Sequence, residues 1–340
     1  MTVINGVEID HVRCIRNEMK EAILHNDPLE EHLHVVVVIS NPCQYARRYI
    51  LAREFIQRME LENVLLYVVE LCYEGQTFCI TQPSHPRHLQ LRTDTSPLWH
   101  KENMINLGIR TLLPKSWKAV AWIDADLEFE STTWASDTLK ILNGCCDMVQ
   151  LFSHCSDMDQ YENPMRIFQS FGFQYCKKKP YNTQGFDFWH PGFAWAMTRK
   201  AYEKVGGLYE HSILGSGDHN MALSLLGKGG QSINHQTSEG YKHSIQSYQQ
   251  RMSLRLGYVP GVIRHYFHGS KQNRKYTERW QILVKHQYDP YKHTTYDHGL
   301  LIPSKECPPE LLKDILQYFR ERNEDEFTVS THPIPNSFLK

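Results

Sequence analysis

In Lys118-Ala-Val-Ala-Trp-Ile-Asp124-Ala-Asp126 an apolar run of strand length ends in two carboxylates, two positions apart. A continuous apolar run bounded by polar residues is a strand covered on both faces. In open α/β sheets, ligands bind at the carboxyl ends of strands. Paired carboxylates there suit a hard divalent cation that also holds phosphate oxygens. Asp-x-Asp alone is a common tripeptide and reads first as a solvated strand end. The apolar strand before it and Leu127-Glu-Phe129 after it favour the metal.

Upstream, His34-Val-Val-Val-Val-Ile-Ser40 is a buried strand stopped by Asn41-Pro42. Tyr45 to Met59 is spaced for a helix, and Asn63-Val-Leu-Leu-Tyr-Val-Val-Glu70 for a second buried strand. Strand, helix and strand within about 40 residues is a βαβ unit with parallel strands. Gln82 to Leu98, with Pro83, Pro86 and Pro97, is expected to be a loop, and Trp99 to Leu113 a helix ended by Pro114. Downstream, Ser136–Leu142 is expected helical and Asp147–Ser153 extended. This alternation predicts a doubly wound α/β sheet.

The flanks are less regular. Glu8 to Leu33 is expected to form a polar helix outside the core, with Ile15, Met19, Ile23 and Leu24 on one face. Phe193–Thr198 is a strand and Arg199–Val205 a short helix. Gly215-Ser-Gly-Asp218 is a turn opening a helix through Leu226, and Tyr258 to His268 holds a strand and a turn. Leu311–Glu321 is amphipathic, and the tail from Asn323 is expected to be loose. The implied organisation is an N-terminal helical extension over 1–33, a catalytic domain over 34–290 and a C-terminal extension over 291–340.

The 340 residues carry 37 Lys and Arg against 38 Asp and Glu, for a net charge of −1. So balanced a chain exerts no global pull on DNA or anionic lipid. No stretch approaches the ~20 apolar residues that span a bilayer, and the first residues lack the pattern of a secretory signal. The nine cysteines are an odd number with no C-x-x-C spacing, which suits reduced thiols and a cytoplasmic setting. There is no phosphate-binding G-x-x-x-x-G-K-[ST], no G-x-G-x-x-G after the first strand, no H-E-x-x-H and no G-x-S-x-G.

Three further stretches can carry chemistry. His265-Tyr-Phe-His268-Gly269 offers imidazole to a metal, although among 19 histidines any one is more often a surface or packed residue. The basic residues Lys271, Arg274, Lys275 and Arg279 follow, either as a solvated face or as partners of a diphosphate. Asp218 reads as a general base or as a helix cap, and spacing alone favours the cap. Trp189-His-Pro-Gly-Phe-Ala-Trp195 suits the face of a sugar or the interior of the protein.

In order and spacing, these motifs resemble the nucleotide-sugar-dependent glycosyltransferases of the GT-A fold. The resemblance runs from about His34 to Pro290 and includes Lys101-x-x-x-x-Asn106-x-Gly108. It is nearest to family-2-like transferases of viral and bacterial type, with their Trp-Ile-Asp-Ala-Asp, Gly-Asp-His and His-Gly-x-x-x-x-Arg-x-Tyr patterns. The resemblance implies a doubly wound mixed sheet with an extra N-terminal helix and a C-terminal helical extension. It implies that Asp126 and His268 hold Mn²⁺ or Mg²⁺, with Asp124 at the donor ribose or at the metal's water. Asn41 and Glu70 would meet the nucleoside of a UDP-sugar, Lys101 and Asn106 would lie on the donor side, and Arg274 and Tyr276 near the diphosphate. His190, Gly192 and Trp195 would border the acceptor, and Asp218 would be the base of an inverting reaction. Gly217-Asp218-His219 departs from the paired acids of many inverting relatives.

The expected activity is therefore metal-dependent transfer of a hexosyl or N-acetylhexosaminyl group. The acceptor hydroxyl can belong to a glycan, protein, lipid or modified base, and no oligomeric state is implied. Segments Gln82–Pro97 and Gly269–Tyr276 are expected to close over the donor. The rival readings are a sugar-phosphate nucleotidyltransferase and a non-enzymatic carbohydrate-binding module. The first needs a Gly-rich basic loop where Ser40-Asn41-Pro42-Cys43 stands. The second needs neither the acidic pair nor Asp218.

Overall fold

A computed structural model describes residues 1–183, 185 and 187–326. The apolar strands assemble into a seven-stranded mixed sheet. Leu33–Ser40 lies in its interior, parallel to Val64–Tyr73 on one side and to the middle strand Ala119–Ile123 on the other. His88–Thr93 extends the sheet in parallel beyond Val64–Tyr73. On the other flank, Ala194–Thr198 runs antiparallel between Ala119–Ile123 and Met148–Gln150, and Leu256–Tyr258 closes that edge.

Alternation along these strands divides the interior into two layers. Val36, Tyr67, Val69, Val120 and Trp122 face one apolar cluster, while Val35, Val37, Val68, Ala119 and Ala121 face the other. Helix Lys101–Leu112 covers the first face, and Ala46–Leu61 and Trp134–Leu142 cover the second. That is the expected doubly wound α/β architecture. Gly108 lets the first helix lie close to the sheet, because a Cβ there would come within 2.8 Å of Val69 and 3.1 Å of Val36.

A four-stranded sheet leans against the carboxyl ends of the central strands. It comprises Pro164–Gln169, His154–Met158, Val262–His265 and Leu127–Phe129 in that order. Helix Pro309–Glu321 packs through Leu311, Ile315, Tyr318 and Phe319 into the first layer.

Four local expectations change. Residues Glu8–Leu33 do not form one helix: Thr2–Ile4 and Val7–Ile9 form a hairpin, and the helix is confined to Arg16–Leu24. The cause is Asn5-Gly6, both at positive φ, a pair that closes tight hairpins. Gln82–Leu98 is not merely a loop, because His88–Thr93 pairs with Val64–Tyr73. The strand expected over Tyr258–Ile263 is two strands, Leu256–Tyr258 and Val262–His265, broken at Pro260-Gly261, where the Gly261 φ is +150°. The tail expected to be loose from Asn323 is packed over 323–326, with Glu324 buried. Its remainder, 327–340, lies outside the described residues. No described helix is long and apolar enough to cross a membrane, and the nine cysteines are free thiols.

Candidate active site

Asp124, Ala125 and Asp126 form the short span between the central strand Ala119–Ile123 and Leu127–Phe129 of the second sheet. The Asp124 amide donates to the Phe193 carbonyl at 2.9 Å, and the Asp126 carbonyl accepts from the Tyr266 amide at 2.9 Å. Both carboxylates are thereby held at the wall of a cleft of about 1080 Å³.

Asp126 meets two imidazoles. Its Oδ2 lies 2.8 Å from Nε2 of His268 and 3.7 Å from Nε2 of His265. Ligand atoms from all three residues fall within 4.8 Å of one another. Oδ1 of Asp126 and Nε2 of His265 are buried and have no hydrogen-bond partner among the described residues. Buried polar atoms without partners are uncommon and costly. A carboxylate and two imidazoles of this kind form a mixed nitrogen and oxygen donor set suited to a divalent transition ion, of which Mn²⁺ is the most oxygen-tolerant. The residues present thus fit a metal. Burial opposes the charge on Asp126, but His268 and His265 outweigh it and hold the carboxyl well below its usual range. Burial likewise opposes charge on His265, and Asp126 and Asp157 raise it above its ordinary value.

Asp157 stands behind His265, with Oδ1 2.8 Å from Nδ1. It is itself bound by Arg166 at 2.9 Å and by Lys271. Arg274 reaches His268 from the cleft side, with Nη2 2.6 Å from Nε2, and its Nη1 is 3.3 Å from the Tyr276 hydroxyl. Burial would raise the Tyr276 phenol, but Arg274, Arg322 and Arg279 bring it down to about 8.

On the other side of Asp124, Lys101 bridges two acids, at 2.6 Å from Asp124 and 2.8 Å from Asp218. Burial lifts Asp124 to about 6 even though Lys101 opposes the shift. Asp218 does not cap its helix. Gly217–Leu225 has Ser216 at the cap position in the left-handed conformation, so Asp218 falls in the first turn and points to Lys101. Gly192 lies between His190 and Asp218: a Cβ there would be 3.0 Å from the His190 ring and 3.9 Å from Asp218 Oδ2.

Asn41, Lys101, Asp124, Asp126, His190, Gly192, Asp218, His268, Arg274 and Tyr276 therefore share one cleft. Glu70, Asn106 and Trp195 are not among its lining residues. Glu70 accepts from the amides of Cys79, Ile80 and Thr81 and from the Thr81 hydroxyl, which occupies its carboxylate in the protein itself. Asn106 ties Leu208, Glu210 and Tyr202 together beneath the helix. The Trp195 indole donates to Pro191 in the interior at 2.8 Å. Asn41 lines the cleft but spends its side chain on the backbone of Tyr45. Among the described residues, none from 82–97 lines the cleft, and His88–Thr93 is held by strand pairing at the edge of the sheet. Lys271, Arg274 and Tyr276 of the second expected lid do line the cleft.

Sequence reasoning named His265 only as part of a stretch and chose His268 as the ligand, and it gave no role to Asp157, Arg322 or Glu324. The spacing His265-x-x-His268 was a usable signal for His265. Asp157 comes from a strand, and Arg322 and Glu324 from the segment that follows the last helix, all distant in the chain from the motifs, and they had none.

No family model and no curated protein matches the chain. Among solved structures, it is similar to the catalytic domain of Drosophila beta1,4-galactosyltransferase 7 in complex with xylobiose. That match has 9% identity and a TM-score of 0.31, and covers 59% of this chain and 63% of that one. A second Drosophila structure of that enzyme, a mutant with manganese, UDP-Gal and xylobiose, matches at 11% identity and a TM-score of 0.30, covering 58% and 62%. S. aureus TarS 1-349 matches at 8% identity and a TM-score of 0.39, covering 90% and 76%. The chain thus spans less than two thirds of the galactosyltransferase chains it matches.

Proposed function

We propose that the chain is a metal-dependent glycosyltransferase that moves a sugar from a nucleotide-sugar, with a UDP-sugar as the expected donor, to an acceptor hydroxyl. The observation that carries this reading is the meeting of Asp126, His265 and His268 at the carboxyl end of the sheet, with a carboxylate oxygen and a ring nitrogen left unpartnered. The motif resemblance to family-2-like GT-A enzymes points the same way, as does the UDP-Gal and manganese held by one galactosyltransferase structure.

Asp126, His265 and His268 would hold Mn²⁺ in preference to Mg²⁺, since two of the three donors are imidazole nitrogens, and the ion when bound would offset the negative charge of a diphosphate leaving group. Arg274 and Tyr276 present N–H and O–H donors on the same wall. Such fixed donors favour charge that builds up as the glycosidic bond breaks. Lys101 orients Asp124 towards the donor and Asp218 towards the acceptor. Asp218 takes the proton as the acceptor oxygen bonds to the anomeric carbon from the face opposite the nucleoside diphosphate, whose bond to that carbon breaks; this single displacement inverts the centre. His190 and Gly192 shape the acceptor side. Burial holds the His190 ring well below its ordinary pKa, so it contacts the acceptor as a neutral ring.

The test is release of free nucleotide from each common nucleotide-sugar in the presence of Mn²⁺, with Asp126→Asn as the control. Turnover with one donor, lost in Asp126→Asn, is the expected result, and no turnover with any donor would overturn the reading. With the true acceptor, Asp218→Asn should slow transfer by about 10²–10⁴-fold while leaving Mn²⁺ binding intact. The anomeric configuration of the product, read by NMR, tests inversion.

A further inference from the structure

The two metal-facing imidazoles each lie between two carboxylates. Each directs Nε2 towards Asp126 and Nδ1 towards a buried carboxylate. Behind His265 that carboxylate is Asp157, at 2.8 Å. Behind His268 it is Glu324, with Oε2 3.7 Å from Nδ1, an ion-pair separation longer than a hydrogen bond, and only 1% of its side chain exposed; Arg274 Nη2 is nearer to Nδ1, at 3.3 Å. Each acid is in turn held by two cations. Arg166 and Lys271 grip Asp157. Arg48 and Arg322 grip Glu324, with Arg48 Nη2 2.7 Å from Oε1 and Arg322 Nε also 2.7 Å from it.

The segment that delivers Glu324 is fastened on both sides. Asp325 accepts from the amides of Ala46 and Arg47 at 2.9 and 2.8 Å, at the start of helix Ala46–Leu61. Glu326 accepts from Asn273 at 2.5 Å. Gly269, next to His268, is at φ +87°, and a Cβ there would come within 2.9 Å of the Asn323 carbonyl and the Glu324 Cα. The backbone after His268 and the backbone before Glu324 are therefore in direct contact.

We propose that Glu324 is a positioning residue for His268, doing from the C-terminal end of the described chain what Asp157 does for His265. The proposal rests on the metal reading above. Carboxylates behind ligating histidines fix the ring and raise its basicity, and losing one costs about 10- to 100-fold in metal affinity. Asp157 belongs to the same sheet as His265, whereas Glu324 arrives across some 56 residues, so the metal centre is completed by a segment outside both sheets.

The experiment is Mn²⁺ binding to the full chain without donor, followed by EPR, for wild type, Asp157→Asn and Glu324→Gln. Thermal melting of the metal-free proteins is measured alongside. Both variants are expected to weaken Mn²⁺ binding by about 10- to 100-fold. In Glu324→Gln, spin-echo modulation from directly bound imidazole nitrogen should fall from two rings to one. A purely structural Glu324 would lower the metal-free melting temperature and leave both the Mn²⁺ affinity and the modulation unchanged, which overturns the proposal. If Glu324→Gln does not fold, Glu324→Asp draws the carboxylate back by one methylene. Weakened binding then supports the proposal, and unchanged binding overturns it. If wild type binds no Mn²⁺ by this assay, the metal reading itself fails, an outcome distinct from wild type binding Mn²⁺ and Glu324→Gln binding it equally well.

Discussion

Glu102 shows what the site costs at the level of one side chain. It is buried beside Lys101, its Oε2 has no partner, and burial lifts its carboxyl from 4.5 to about 8, with Lys101 opposing and Asp218 adding to the shift. A carboxyl raised on folding binds its proton more tightly in the native state. The stability it contributes is present below about 4.5 and is lost as pH rises to about 8. Glu102→Gln cannot titrate, so its melting temperature should fall less than that of wild type between pH 5 and pH 8. Parallel curves for the two proteins would show that Glu102 is not the group responsible. Nothing in Lys101-Glu102 marks the second residue as the strained one, because its environment is made by Gly217 and Asp218, more than a hundred positions away. Asp126 and His268 were legible because each sits in a short motif with a recognisable order. Glu70 and Asn106 were misplaced for the complementary reason: polar residues at strand ends and on inner helix faces serve backbone amides as often as ligands.

Helix Gly217–Leu225 carries Asp218 only because its first residue has no side chain. A Cβ at Gly217 would overlap the Glu102 carboxylate. Gly217→Ala should therefore destabilise the fold by about 1–3 kcal/mol, the usual range for overpacking, and slow sugar transfer by displacing Asp218. Placing Glu102→Ala in the same chain should recover most of the lost melting temperature, because it removes the clashing atoms. Equal losses in the single and double variants would place the cause elsewhere. At this scale the long apolar strands and the helices between them were readable from periodicity. The Thr2–Ile4 and Val7–Ile9 hairpin and the edge strand His88–Thr93 were not. The first is only three residues on each side, and its signal resides in Asn5-Gly6. The second is half-exposed and polar, so its pairing comes from the neighbouring strand and not from its own pattern.

For the whole molecule, Mn²⁺ should act as a folding ligand as well as a cofactor. At 100 times its dissociation constant it should add about 2.7 kcal/mol to the unfolding free energy. Calorimetry should therefore show a higher melting temperature with Mn²⁺, reversed by a chelator and absent in Asp126→Asn; an equal rise in that variant would mean that Mn²⁺ binds elsewhere. Residues from the central sheet, the second sheet and the C-terminal segment meet at this point, which is why no single stretch of sequence announced it. The three residues Asp124–Asp126 also carry the chain from one sheet to the other, with strand pairing on both sides. A surface loop can grow or shrink as lineages diverge. This join has no such freedom, because one inserted residue would turn a paired strand over or move the two acids apart. Descendants of this protein should vary freely in the length of almost every other connection before they vary here.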